Sequence, residues 1–214
     1  MRYDLMFIGD SITKGTFTKL GDSAPNSIAF PNFSELLQRK LKATTMINYG
    51  ENGVSYSSLS PVLPEHSIVK KCSAFEEGKN IFLLTGTNDF GTGVPLGNSS
   101  DERDISFFGA VHEVFEEIKN KNPQSSIFVV LPFRRFDEDK NSLNLSLDSY
   151  REALRVKANT FGFYVIDGSA VSFQPNDKEY RDTYMPDGVH PNEMGHEMIA
   201  DFLFAQVEGK MTEM

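Results

Sequence analysis

The sequence predicts an α/β fold, a three-layer α/β/α sandwich around a mostly parallel five-stranded sheet. Three observations predict it. Short runs that are apolar throughout recur along the chain, as strands buried on both faces require. Between them, apolar residues return at helical spacing and mark amphipathic helices fit to cover such a sheet. Finally, Ser11, Gly53 and Asn88 each follow a predicted strand, and open α/β sheets bind ligands beyond the carboxyl ends of their strands.

The elements follow in order. Residues 5–8 (Leu-Met-Phe-Ile) read as a buried strand that stops at Gly9. Phe33, Leu36, Leu37 and Leu41 share one helical face. Residues 44–48 are rich in β-branched side chains and read as a second strand. Residues 81–85 (Ile-Phe-Leu-Leu-Thr) give a third. Ile105, Phe108, Val111, Phe115 and Ile118 predict a helix, with Pro123 past its end. Residues 127–131 (Ile-Phe-Val-Val-Leu) form a fourth strand, stopped by Pro132. Leu147, Tyr150, Leu154, Ala158 and Phe161 line a further helix, residues 163–166 a fifth strand, and Met194, Met198, Ile199 and Phe202 a last helix. Two stretches, 16–30 and 90–104, read as irregular loops that either rim a site or simply cover the surface. The tail 208–214 is expected to fray.

At 214 residues, without repeats or a linker-like segment, the chain is expected to form one domain over 1–214. Its formal net charge of -9 argues against nucleic acid or an anionic membrane as partner. Cys72 is the sole cysteine, so no internal disulfide forms; the bland reading is a small buried hydrophobe. With no leader-like start and no apolar run of membrane length, a cytoplasmic location is expected.

The chemistry concentrates in four segments. Ser11 stands in Gly9-Asp10-Ser11, and His190 in Asp187-Gly188-Val189-His190. Between them lie Asn48-Tyr49-Gly50-Glu51-Asn52-Gly53 and Gly86-Thr87-Asn88-Asp89. Ester hydrolysis through an acyl-enzyme needs a hydroxyl nucleophile, a base with an orienting acid, and donors for the oxyanion. Ser11 reads as the nucleophile or as a helix N-cap serine. Asp187 and His190, three apart, fit on one turn, where the acid can hold one ring nitrogen and free the other; the alternative is plain loop punctuation. A neutral histidine base would make activity fall on the acid side. His196 is the nearest substitute, while His112 and His66 read as structural or solvent-facing. Asn88 offers a side-chain amide or serves as a turn residue. Asp10 and Asp89 read as ties for their loops.

In this order, the four segments resemble the SGNH (GDSL) hydrolase family over almost the whole chain. The resemblance implies a flavodoxin-like sheet, catalytic Ser11, Asp187 and His190, an oxyanion hole from Ser11, Gly53 and Asn88, and no cofactor or metal. It favours Gly53 over Gly50 as the donor glycine. The chain departs from the family's commonest form at Val54-Ser55, where many relatives carry a small or acidic residue and then Thr. The implied partner is a small-molecule ester, with short-chain or acetyl esters, including acetylated carbohydrate, as the expectation. An acyltransferase using the same acyl-enzyme, or an inactive carbohydrate-binding module of the same fold, stands as the alternative. A metallophosphoesterase lacks its histidine ligands here, and a P-loop lacks its Gly-Lys-Ser/Thr ending. Arg134 or Arg135 reads as a substrate contact or as surface solvation, and Tyr184 and Met185 as pocket lining or core.

Overall fold

The computed structural model describes residues 2–214. In chain order its elements are β1 (Arg2–Gly9), α1 (Ser11–Lys14), β2 (Thr16–Phe17), β3 (Ser27–Ile28), α2 (Phe33–Leu41), β4 (Met46–Gly50) and α3 (Ile68–Lys71). There follow β5 (Glu77–Leu84), α4 (Thr87–Thr92), α5 (Phe107–Lys121), β6 (Ser126–Val130), α6 (Leu147–Phe161), β7 (Tyr164–Ile166), α7 (Lys178–Tyr184) and α8 (Glu193–Val207). The main sheet has the order β4-β1-β5-β6-β7, and every pairing in it is parallel. The sheet and its helical layers agree with the fold class read from the sequence.

Alternation along the strands divides the core. Leu5 and Phe7 point to one face, where Phe33, Leu37, Ile199 and Leu203 of α2 and α8 cover them. Met6 and Ile8 point to the other, which shares its core with Val111 and Phe115 of α5 and Leu154 of α6. Across the first face, Phe7, Phe82, Phe128 and Tyr164 stand in register on four neighbouring strands. Their rings stack with centroids 4.9, 4.9 and 5.2 Å apart. Such cross-strand aromatic pairs fix register as well as burying area.

Several local expectations are corrected. The second strand starts at Met46 rather than 44, because the N–H groups of Thr44 and Thr45 donate to the Asp4 carboxylate, each at 3.0 Å. Ile105 lies outside its helix and is exposed, since Ser106 caps the N-terminus of α5 by accepting from Gly109 N–H. Met194 is exposed on α8, whose buried face runs through His196, Ile199, Ala200, Leu203 and Val207. The stretch 16–30 contains a short antiparallel hairpin, β2 with β3. The tail is tied to the sheet at Met211 and Thr212. Thr212 N–H donates to the Asn80 side chain at 2.8 Å, Asn80 Nδ2 donates back to Thr212 O at 3.0 Å, and Met211 packs against the core. No helix of the described residues is long and apolar enough to cross a membrane.

Candidate active site

Strand order brings three loops together. β1 runs between β4 and β5, and Gly9, at its carboxyl end, is opposite Gly50 on one side and Leu84 on the other. The chain leaves these three adjacent ends toward Ser11, Gly53 and Asn88, so the motifs share one sheet edge. Close approach makes this possible. A Cβ on Gly50 would lie 2.2 Å from Lys14 N, so only glycine lets α1 rest against the end of β4.

Ser11 opens α1 and is not its cap. The cap is Asp10, whose Oδ1 accepts from Ile12 N–H at 2.9 Å. That removes the N-cap reading of Ser11. Its Oγ lies 2.8 Å from His190 Nε2. His190 Nδ1 lies 2.8 Å from Asp187 Oδ2, a contact that places the ring proton on Nδ1 and leaves Nε2 to accept. Asp187 also shapes its own loop, because its Oδ1 accepts from Val189 N–H at 2.9 Å and His190 N–H at 2.8 Å. Burial pushes the Asp187 carboxyl up, but the hydrogen bond and charge of His190, with the Thr18 hydroxyl, outweigh it and hold it well below the usual carboxylate range.

Thr18 is the site residue that sequence reasoning missed. It is buried just past β2, and its hydroxyl donates to Asp187 Oδ2 at 2.5 Å. A lone threonine in a polar stretch carries no periodic or motif signal.

On the other side, Gly53 has φ +75°, the left-handed region that favours glycine. Asn88, in the first turn of α4, donates Nδ2–H to Val54 O at 2.8 Å, which ties the β5 loop to the Gly53 loop. The amide has a second hydrogen free of that bond. Asp89 accepts from Tyr56 N–H at 2.9 Å and Ser57 N–H at 3.0 Å, and Asp104 holds Ser57 and Ser58 through their hydroxyls. These ties fix the loop at the unusual Val54-Ser55, both of which are buried. Burial drives two carboxyls beneath the site upward, Asp10 to about 6 and Asp89 to about 7.

The remaining candidates are placed elsewhere. His196 is fully buried, stacks on Phe33 and accepts weakly from Phe33 N–H at 3.4 Å; burial, with His190 nearby, depresses it to about 3. It does not join the Ser11 chain of hydrogen bonds. His112 meets Lys157 and His66 meets Glu51. Arg135 braces α4 through Thr87 O and Oγ1 at 3.1 and 3.0 Å and pairs with Asp137, while Arg134 pairs with Glu138. Met185 is core, and Tyr184 stacks on Tyr180. Cys72 is buried, which pushes its thiol up to about 11. Among the described residues, no group of three or more His, Cys, Asp or Glu side chains is arranged to hold a metal ion.

Solved structures with this architecture include a protein from Lactobacillus plantarum, with a TM-score of 0.83 and 18% identity over 99% of this chain and 100% of that one. A lipase/acylhydrolase from Enterococcus faecalis follows at 0.61 and 17%, over 99% and 98% of the two chains. A member of the lipolytic G-D-S-L family from Veillonella parvula has 0.62 and 21%, over 94% and 96%. At these identities the likeness concerns the fold. A search of curated protein sequences finds no match. The family model for the GDSL-like lipase/acylhydrolase family matches residues 7–198, which span all four motifs. By that match, the chain belongs to the GDSL-like lipase/acylhydrolase family.

Proposed function

We propose that the chain is a serine-dependent carboxylic ester hydrolase that works through an acyl-enzyme on short-chain or acetyl esters. The observation that carries this reading is the unbroken line of hydrogen bonds from Ser11 Oγ through His190 to Asp187. A serine hydroxyl is a weak nucleophile until a base takes its proton, and His190 Nε2 stands where that proton leaves. Ser11 Oγ attacks the ester carbonyl while its proton passes to Nε2. Asp187 keeps the ring oriented and stabilises the imidazolium. The N–H groups of Ser11 and Gly53, with the second amide hydrogen of Asn88, receive the developing oxyanion. His190 then gives its proton to the departing alcohol. Water then attacks the acyl carbon as His190 Nε2 takes its proton; the bond to Ser11 Oγ breaks, Oγ takes that proton back from His190, and the acid leaves. No resident cofactor has a step in this sequence.

The test is hydrolysis of a p-nitrophenyl ester series by wild type and Ser11→Ala, with and without chelator. Chelator-resistant turnover that disappears in the variant is expected. Turnover that survives Ser11→Ala would overturn the serine mechanism. Equal or better turnover of long-chain esters would overturn the substrate class. Release to an added alcohol in preference to water would reassign the enzyme as an acyltransferase.

A further inference from the structure

The turn that carries Gly53 is held on both sides and in its middle. Before it, Glu51 N–H donates to Gly9 O at 3.1 Å. After it, Asn88 Nδ2 and Thr85 Oγ1 donate to Val54 O at 2.8 and 3.2 Å. Val54 N–H closes the turn loosely on Glu51 O at 3.4 Å. In the middle stands Asn52. Its Oδ1 accepts from Thr16 Oγ1 at 2.7 Å, and this is its one hydrogen bond among the described residues.

The two partners are unlike. Thr16, in β2, is buried, whereas Asn52 is exposed. β2 follows α1, the helix that Ser11 opens, after a left-handed Gly15. It pairs with β3, and Ala29 N–H donates to Gly15 O at 2.8 Å, so the strand is fixed at its root. Two residues beyond Thr16, Thr18 holds Asp187. One short strand thus adjoins the helix of the nucleophile, supports the acid and reaches the residue before Gly53.

An exposed asparagine is ordinarily free to turn in water, and here it is pinned where freedom would matter. Asn52 lies outside the left-handed region while Gly53 has φ +75°, the pattern of a type II turn over residues 51–54. Type I and type II turns differ by a flip of the central peptide, which here is the one between Asn52 and Gly53. That peptide carries the Gly53 N–H, so a flip reverses the donor. Glycine populates both signs of φ about as readily, so Gly53 does not hold the direction by itself. The hold must come from Asn52, whose ψ changes in the flip.

We propose that Thr16 is a positioning residue for the oxyanion hole: through Asn52 it fixes the peptide that aims the Gly53 N–H. The proposal rests on the serine-esterase reading above. A donor lowers the barrier only when it already points to where charge develops, and molecules with the peptide flipped lack it.

Thr16→Val removes the hydroxyl and keeps the shape, whereas Thr16→Ser keeps the hydroxyl. Asn52→Ala removes the acceptor at an exposed position outside the left-handed region, so it tests the same bond even where a buried valine is not tolerated. Each variant is measured for turnover of p-nitrophenyl acetate and for inhibition by a trifluoromethyl ketone. Ser11 Oγ adds to the carbonyl carbon of that ketone, its proton passes to His190 Nε2, and the carbonyl oxygen becomes an oxyanion. Thr16→Val and Asn52→Ala are each expected to lower kcat and ketone affinity about tenfold, with KM within about twofold of wild type. Thr16→Ser should stay near wild type. The double variant should lose no more than either single one, because both break one bond. Unchanged kcat, a loss confined to KM, full ketone affinity, or losses that multiply in the double variant would overturn the proposal and leave the serine mechanism standing. No Ser11-dependent turnover of any ester by wild type would overturn both.

Discussion

β1 carries one aspartate near its start and meets another just past its end, and the two are built in opposite ways. Asp4 is nearly buried, and every donor around it is used: Thr44 N–H and Thr45 N–H at 3.0 Å, and Lys79 Nζ at 2.9 Å. The Lys79 bond, helped by the backbone donors, overcomes desolvation and holds Asp4 below its ordinary range. Asp10 is fully buried; its Oδ1 accepts from Ile12 N–H, and the Thr85 hydroxyl and Thr13 N–H also favour its charged form, yet burial outweighs them. Ser55 Oγ and Tyr56 Oη, in the loop after Gly53, are buried too, with no hydrogen-bond partner among the described residues. At one end of the sheet hydrogen bonds thus win over burial, while at the other, beside the candidate site, burial wins over hydrogen bonds. Stability and function draw on different ends of the same strand.

That contrast can be broken from either end. Ser11→Ala is expected to lower kcat on the order of 10⁵-fold, with the thermal midpoint unchanged, as p-nitrophenyl ester kinetics and calorimetry together would read. Asn88→Ala should lower kcat about 10²-fold with a smaller effect on KM; a loss confined to KM would count against its oxyanion role. At the opposite end, Asp4→Ala should cost about 2 kcal/mol in denaturant unfolding by stranding two N–H groups and Lys79, with kcat intact. Thr18→Val should reduce kcat by roughly two- to tenfold, the range of one hydrogen bond, and Thr18→Ser should restore it; a variant equal to wild type would make Thr18 a bystander.

A further effect is in pH. Asp10 and Asp89 are raised from the ordinary 3.8 to about 6 and about 7 by burial. The folded state therefore holds protons that the unfolded chain has released. Their stabilising contribution is complete below 3.8 and is lost as pH rises through the two folded values. Asp4 and Asp187 are lowered, so their contribution is present above 3.8 and is lost as pH falls below it. From these two groups the thermal midpoint should drop between about pH 4 and about pH 7, and Asp10→Asn should make that drop shallower. An unchanged slope would mean that Asp10 titrates alike in both states.

Apolar runs made the architecture legible. Residues 5–8, 81–85 and 127–131 are too continuous for half-exposed strands, and all three belong to the central part of the parallel sheet. Boundaries were less legible where side chains intervene. Asp4 captures Thr44 and Thr45, and Ser106 ends the helical stripe short of Ile105. Three of the four motifs follow strands whose order gathers them at one edge, and the Asp187–His190 turn between α7 and α8 meets them there through Ser11. The supports around them were hidden. Thr18 meets Asp187, and Asn80 meets Thr212, across separations that no local pattern encodes. Asp10 and Ser11 are both good cap residues, which left a capping Ser11 open as an alternative; geometry makes the aspartate the cap.

Ser11 and His190 are 179 positions apart, and the bond between them closes nearly the whole chain. A ribosome delivers the serine 179 residues before the histidine. Until residue 190 has been made, the Ser11 hydroxyl therefore lacks this partner, and no fragment ending before residue 190 can form the bond. Contacts of such separation also form late, because loop closure must come first. In a refolding experiment, catalytic turnover would consequently appear after the aromatic stack across the sheet, and its recovery would time the last long-range closure of the molecule.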